Sequence, residues 1–307
     1  MKNLFILTAS AFFMFFAACS ILNPYDDYEI NNVVPDTAWY WHGEHHKYII
    51  NTPEELAGLS LLVKNGRNMK GITIMLGADI SFNANNGGKY RWTPIGINTD
   101  KPFGGVFDGN GYVVSGIYLY SANDHQGFFG WIEGGAVIKN LGLEDLYIDG
   151  SARFVGGLVG TNRRSLIQNC YTAGEVRGNF NYTGGLVGYN DGGRIENSYS
   201  KTNVSGKSDV GGLAGANLGY ISAIVNSYSV GKVSGDKNVG GLVGHNAGAA
   251  IINSYFNNEL SQRNDEGNGT GKTTAEMKQQ STFAHWDFTN TWQINNNYPE
   301  LRIFFDE

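Results

Sequence analysis

Gly156-Gly157-Leu158-Val159-Gly160 decides the architecture, because it comes back. It recurs at Gly184 to Gly188, as Gly211-Gly212-Leu213-Ala214-Gly215, and at Gly240 to Gly244. The second glycines stand at positions 157, 185, 212 and 241, so the steps are 28, 27 and 29 residues. A degenerate copy, Gly127-Phe128-Phe129-Gly130, lies 30 residues before the first full one. A fixed period of this size marks stacked supersecondary units and outranks any local motif. Within each period Asn169-Cys170-Tyr171 returns as Asn197-Ser198-Tyr199, Asn226-Ser227-Tyr228 and Asn253-Ser254-Tyr255. Val176-x-Gly178 returns as Val204-x-Gly206 and Val233-x-Gly235. These are short alternating apolar runs between Gly, Asn, Ser and Asp, which is strand patterning. No window between Gly104 and Asn258 sustains a helical period. Three short strands per turn of about 28 residues, wound repeatedly, make an all-β parallel β-helix.

Such a winding assigns the repeated residues. Leu158, Leu186, Leu213 and Leu242 stack inward, as do Val176, Val204 and Val233. Glycine serves the corners, where backbone must approach backbone without a Cβ. Two asparagine ladders follow, Asn162-Asn190-Asn217-Asn246 and Asn169-Asn197-Asn226-Asn253. Asparagine tolerates left-handed turns and bonds local backbone, and stacked amides bond one another along the axis. Both ladders read as structural. The ladder Tyr171-Tyr199-Tyr228-Tyr255 fits a flat outward surface for stacking sugar rings, and fits a buried column equally well. Each coil contacts only its neighbours, so stability accumulates by rung and both ends need covers.

These residues carry a resemblance. Gly-Gly-Leu-Val-Gly-x-Asn followed by Ile-x-Asn-Ser-Tyr resembles the GLUG-motif repeats of bacterial surface proteins and of accessory regions in some immunoglobulin A peptidases. Trp92-Thr93-Pro94-Ile95-Gly96, the run Phe103 to Gly111, and the tail with Trp286-Asp287-Phe288, Trp292-x-Ile294 and Tyr298-Pro299 match what surrounds such repeats. The resemblance covers the chain from about Asp36 onward. It implies the solenoid fold and a surface setting, and it accompanies many functions.

Taken in order, the chain divides into a signal peptide (1–18), a tether (19–36), an N-terminal cap (37–103), the β-helix (104–259) and a C-terminal cap (260–307). Lys2 precedes an apolar run from Leu4 to Phe16, too short for a membrane span and suited to a secretory core. Phe16-Ala17-Ala18-Cys19 resembles a lipobox with Phe16 in place of the usual leucine, so Cys19 is the expected lipidation site and lipid the membrane partner. A diacylglycerol anchor holds stably where one acyl chain does not. The acidic run Asp26-Asp27-Tyr28-Glu29 reads as linker or as a surface-export tag. His42, His45 and His46 with Glu44 invite a metal, but Gly43 and the spacing break the helical zincin pattern, and no metal site is expected. Thr52-Pro53-Glu54-Glu55 is a capping box with proline at the first helical position. It opens a capping helix over about 53–65, with Leu56, Leu59 and Val63 on one face and Gly66 ending it. Asp108-Gly109-Asn110-Gly111 lacks the remaining ligands of a calcium loop and reads as a tight turn. Gly267 to Thr273 imitates a phosphate loop, but Glu266 stands where its first glycine belongs. Thr273 to Glu276 is a second capping box, opening a short helix to about Gln280. Trp286, Phe288, Trp292 and Ile294 then read as a strand or loop covering the C-terminal coil.

Net charge of −6 and a pI near 5.5 argue against nucleic acid as partner. Cys170 occupies a position filled by Ser198, Ser227 and Ser254, so it reads as a small ladder residue rather than a nucleophile, with no disulfide. No catalytic residue and no cofactor is assigned. The acids of the repeats (Asp145, Glu175, Asp191, Glu196, Asp209 and Asp236) keep no common period with a base. Only Asp209 and Asp236 fall near equivalent positions, beside Lys207 and Lys237, as a solvated loop face. The expected function is a non-enzymatic lipoprotein on the cell surface or outer membrane. It presents its solenoid for adhesion or for binding an extracellular glycan or a host or surface protein. The alternatives are a β-helix polysaccharide lyase or hydrolase, which needs a base with a cation or two spaced carboxylates, and an accessory module of a surface peptidase system.

Overall fold

The structure is a computed structural model that describes residues 30–41, 46–83, 89–264 and 268–305. The chain winds as a right-through stack of parallel strands. One sheet holds eight of them, from Lys47–Ile50 and Thr73–Leu76 through Val106–Asp108, Val137–Lys139, Leu166–Gln168, Arg194–Glu196 and Ala223–Val225 to Ala250–Ile252. We name it for its buried column Ile138, Ile167, Ile195 and Ile224, the isoleucine sheet. A second sheet carries the tyrosine ladder, with Gly142–Gly150, Tyr171–Gly178, Tyr199–Ser205, Tyr228–Ser229 and Tyr255–Asn257. Two shorter sheets close each coil. The turn sheet holds Val155–Gly156, Asn181–Gly184, Ser208–Gly211 and Lys237–Gly240; the asparagine sheet runs from Phe129–Glu133 to Val243–Asn246.

A coil therefore has four strand segments, one more than the three expected. The block Val-Gly-Gly-Leu-Val is two strands, and its corner is made by a glycine and a leucine rather than by polar turn residues. The corner glycine has no alternative: a Cβ on Gly185 would strike the Gly212 carbonyl of the next coil. The leucines bond rung to rung across that corner, Leu158 N–H to Leu186 O at 2.9 Å and Leu186 N–H to Leu213 O at 2.9 Å. All four leucines are fully buried, each side chain contributing about 1.5–3 kcal/mol. Val176, Val204 and Val233 keep register. Val204 and Val233 form a small separate cluster with Val210, between the tyrosine and turn sheets.

The first asparagine ladder is bonded amide to amide along its length. Among the described residues the second is bonded only from Asn169 to Asn140 (3.1 Å) and from Asn253 to Asn226 (3.4 Å), with Asn169 Oδ1 buried and without a partner. Asn162, Asn190 and Asn217 are fully buried, and each amide donates to the next side-chain oxygen, at 2.8, 2.8 and 3.3 Å down to Asn246. The ladder stops at Asn162 because the rung above is Ile132, which leaves Asn162 Oδ1 buried without a partner. Asn169, Asn197, Asn226 and Asn253 all adopt left-handed backbone, and Asn140 extends that column one coil upward.

The helix spans Pro53–Lys64. Glu55 N–H donates to Thr52 Oγ1 at 3.2 Å, and the Glu55 carboxylate reaches back to Asn51 N–H at 2.7 Å. Leu56, Leu59 and Val63 are fully buried in the solenoid core. The second capping box also forms, with Thr273 N–H to Glu276 Oε2 at 2.8 Å and Glu276 N–H to Thr273 Oγ1 at 3.2 Å. It opens only the 3₁₀ turns Glu276–Lys278 and Gln280–Thr282, because Gln279 between them is extended. The tail beyond covers the last coil at its start, where Phe283 and Trp286 pack on Tyr255 and Trp286 Nε1–H donates to Asn253 O at 2.8 Å, but it does not end there. It runs sideways as a strap over the tyrosine ladder, from Phe283 against Tyr255, through Trp286 and Trp292 against Tyr228, to Phe304 against Tyr171.

Candidate functional site

One residue per coil turns the chain into the turn sheet with left-handed backbone: His125, Phe154, Tyr182, Asp209 and Asn238, at φ between 50° and 69°. Asparagine and aspartate accept that conformation, whereas a larger side chain is held there at about 1 kcal/mol or more. Three successive coils nonetheless place a ring there. The His125 and Phe154 rings stack at 4.7 Å and 7° between planes, and Phe154 and Tyr182 at 5.2 Å and 9°. The facing column on the asparagine sheet is Trp131, Thr161, Tyr189, Ala216 and His245. Trp131 meets His125 edge-on at 4.7 Å, and Tyr189 meets Phe154 and Tyr182 edge-on at 5.3 and 5.1 Å. The small Thr161 leaves room for the ring column and bonds it, Oγ1 to His125 Nδ1 at 2.8 Å. The product is a strip of aromatic rings along three coils, half-buried except for the more deeply set Trp131.

Ion pairs frame the strip. Arg153 binds Asp124 at 2.7 Å and lies over the Phe154 ring at 5.3 Å. Burial alone would raise the Asp124 carboxyl, but the bonds and charge of Arg153 outweigh it and hold it below the usual carboxylate range. Burial pulls the His125 imidazole down to about 4, Asp124 opposing and Arg153 adding to the effect. His125 is therefore neutral near pH 7. Arg163 and Asp191 pair at 3.7 Å on the asparagine sheet.

At the His125 end the strip meets a groove of about 670 Å³ between the end of the helix, the segment 91–98 and the segment 119–126. Lys64, Arg91, Tyr120, Asp124, His125 and Gln126 are among its walls. Gln126 is 4% exposed and its Oε1 has no hydrogen-bond partner.

The tyrosine ladder is placed otherwise than as a surface. Tyr171, Tyr199, Tyr228 and Tyr255 stand in register; the rings of Tyr171, Tyr199 and Tyr228 stack at about 5 Å, while Tyr255 meets Phe283 edge-on at 5.2 Å. They are 6, 2, 0 and 9% exposed, covered by Phe283, Trp286, Trp292 and Leu301 of the strap. Tyr228 donates to Pro299 O and Tyr171 to Glu144 Oε1, and burial pushes these hydroxyls up. A flat column of rings is the best apolar seat for an aromatic strap, so the strap takes it. Cys170 is fully buried, its thiol pushed by burial up to about 12, and its N–H bonds Ser198 Oγ in the serine ladder. Asp108 closes a turn, accepting from Asn110 N–H and Asn140 and pairing with Lys139. Asp209 and Asp236 do not share a rung: Asn238 follows Asp209 and bonds it at 2.6 Å. Thr270–Lys272 is a strand paired with Tyr255–Asn257 rather than a phosphate loop. Cys19, the signal and acidic segments, His42, Glu44, His45, Glu266 and Gly267 lie outside the described residues. On the tyrosine sheet Arg177 binds Glu175 and covers the Tyr147 ring beside Asp149, a carboxyl that burial raises. Tyr147 OH donates to Asp149 Oδ2 at 3.5 Å, and Asp149 Oδ1 is buried without a partner.

The aromatic strip was missed in the sequence because its column changes residue in every coil. Its one signal is an offset: Phe154, Tyr182, Asp209 and Asn238 each stand three residues before the second glycine of the repeat.

The GLUG motif matches at residues 181–205 and 235–261. The chain carries GLUG motifs. Those coils are the ones holding Tyr182, Tyr189 and Asn238. Two curated relatives match by sequence. A "Putative Gly-rich membrane protein" of Evansella cellulosilytica is 28% identical over 49% of this chain and 12% of its own length. "Halomucin" of Haloquadratum walsbyi is 34% identical over 31% of this chain and 1% of its own. The GLUG chain thus spans a small fraction of both. Among solved structures, a "putative immunoglobulin A1 protease from Bacteroides ovatus" superposes with a TM-score of 0.59 at 22% identity, over 84% of this chain and 92% of that one. At that identity the likeness is one of fold.

Proposed function

We propose that this GLUG-motif chain is an exported, non-enzymatic binding module of the cell surface, and that it holds a glycan along the strip of Trp131, His125, Phe154, Tyr182 and Tyr189. The observation that carries the reading is backbone strain accepted in consecutive coils. Asp209 and Asn238 fill the same turn without strain, so the fold does not require rings there, whereas flat, half-open rings at coil spacing suit sugar faces. The names of the two relatives, "Putative Gly-rich membrane protein" and "Halomucin", are in keeping with a surface setting. In this reading Cys19 is diacylated and tethers the module to a membrane. Palmitate labelling of the full chain in cells, lost in Cys19→Ala, is the expected result; labelling that persists would remove the anchor.

Two substitutions separate binding from stability. Phe154→Ala removes the stacking and keeps the strained backbone, and is expected to cost about 1–2 kcal/mol of stability. Phe154→Asn removes the ring but relieves the strain, and is expected to be near neutral. Both should lose glycan binding on an array by tenfold or more. An Asn variant that folds and binds like the parent chain would sink the strip as the site. Release of unsaturated or reducing ends from glucans or uronans would overturn the non-enzymatic part.

A further inference from the structure

The groove beside His125 differs in chemistry from the strip it joins. Lys64 and Arg91 are exposed on its walls, and among the described residues neither has a carboxylate within ion-pair reach. The one acid lining it, Asp124, is already bound to Arg153. In a chain of net charge −6, this is a local positive concavity, and clefts lined by one sign of charge concentrate the opposite sign. Gln126, almost fully buried in the groove wall, spends its amide N–H on Asp124 O at 3.0 Å and leaves its Oε1 without a donor. Tyr120, 52% exposed, adds an aromatic face. The neutral His125 has Nδ1 on Thr161, and its Nε2 has no partner among the described residues. At about 670 Å³ the space lies within the range of roughly 300–1,000 Å³ that small-molecule sites occupy. A smaller cavity of about 180 Å³ shares Lys64, Arg91, Trp92 and Thr93 with it.

We propose that this groove holds a negatively charged sugar unit, carrying a carboxylate or a sulfate, of the glycan whose neighbouring rings lie on the aromatic strip. The inference rests on the glycan reading of the strip and adds the charge class. Lys64 and Arg91 bind the anion. His125 and Tyr120 bound the ring. The strip supplies area that is indifferent to charge, and the groove supplies selectivity.

The test uses the full chain and two pairs of polymers differing in charge: polygalacturonate against its methyl ester, and dextran sulfate against dextran. Affinity electrophoresis at low salt should show the charged member of at least one pair bound about tenfold or more tighter than its neutral partner, as expected for charge-assisted bonds. Which pair responds tells carboxylate from sulfate. The double variant Lys64→Ala/Arg91→Ala should abolish that preference and keep the weaker neutral binding. Lys232→Ala/Lys237→Ala, which removes the same charge from exposed positions elsewhere, should keep the preference. Equal binding of charged and neutral partners overturns the groove while leaving the strip standing. So does a preference that survives the groove variant or is lost equally in the control. Failure of all four polymers, with no array hit, overturns both.

Discussion

Asp209 and Asn238 sit in left-handed turns at little cost, while His125, Phe154 and Tyr182 sit there against a Cβ clash. Ring stacking returns about 0.5–1.5 kcal/mol per pair, so the aromatic column is close to neutral for stability. His125 makes its own presence measurable. Its folded value, about 4, lies below the ordinary 6.5, with burial as the main cause. Between pH 6.5 and 4 the unfolded chain takes up a proton that the native chain declines. Stability from this residue is therefore complete above pH 6.5 and is lost as pH falls toward 4. His125→Asn keeps a residue that tolerates the turn and removes the titration. Its urea midpoint should fall less than that of the parent chain between pH 7 and 4.5; parallel curves would mean the imidazole is not depressed. At this scale the sequence shows what repeats. The asparagine, leucine and tyrosine columns were legible because each keeps its residue type. The strip was not, because a left-handed turn can be filled by Asp, Asn or a ring, and only the backbone reveals the equivalence.

Among elements, the buried asparagine ladder gives the plainest energetics. Asn190 accepts from Asn162, donates to Asn217 at 2.8 Å and donates to Gly193 O at 2.9 Å. Asn190→Ala leaves dry polar groups without partners on both adjoining rungs. Each such group costs about 1–3 kcal/mol, so the loss should be about 3 kcal/mol or more. Asn246 ends the same ladder and is half open to water, so Asn246→Ala should cost only about 1 kcal/mol. Denaturant midpoints would compare them, and equal losses would mean the ladder amides are not energetically coupled. The helix Pro53–Lys64 was legible because its capping residues and apolar face agree. The fourth strand was not, since its corner is apolar. Nor was the course of the tail, since an aperiodic run of aromatics says that it will be buried and not against which wall.

For the whole molecule the strap changes what kind of solenoid this is. A stack whose units touch only their neighbours is quasi-one-dimensional and frays from its ends. Here one segment touches many coils. Glu300 binds Lys201 at 3.2 Å, Pro299 O accepts from Tyr228, and Phe304 packs on Tyr171. Farther up, the Ile303 carbonyl lies so close to Gly111 that a Cβ there would meet it. The fully buried Trp292 sits midway, against Tyr199 and Tyr228. Opening the last coil while keeping the first would tear the strap from its column, so the strap should couple rungs that share no hydrogen bond. Trp292→Ala removes the central contact at about 3–5 kcal/mol and leaves every coil-to-coil bond intact. In the parent chain, amide exchange of Tyr171–Gly178 and Tyr255–Asn257 should follow one opening free energy. In Trp292→Ala, the Tyr255–Asn257 amides should exchange faster than those of Tyr171–Gly178, with the gradient running inward from the last coil. Uniform acceleration at both strands would show that the rungs were already coupled through the stack itself, and that the strap adds stability without adding cooperativity.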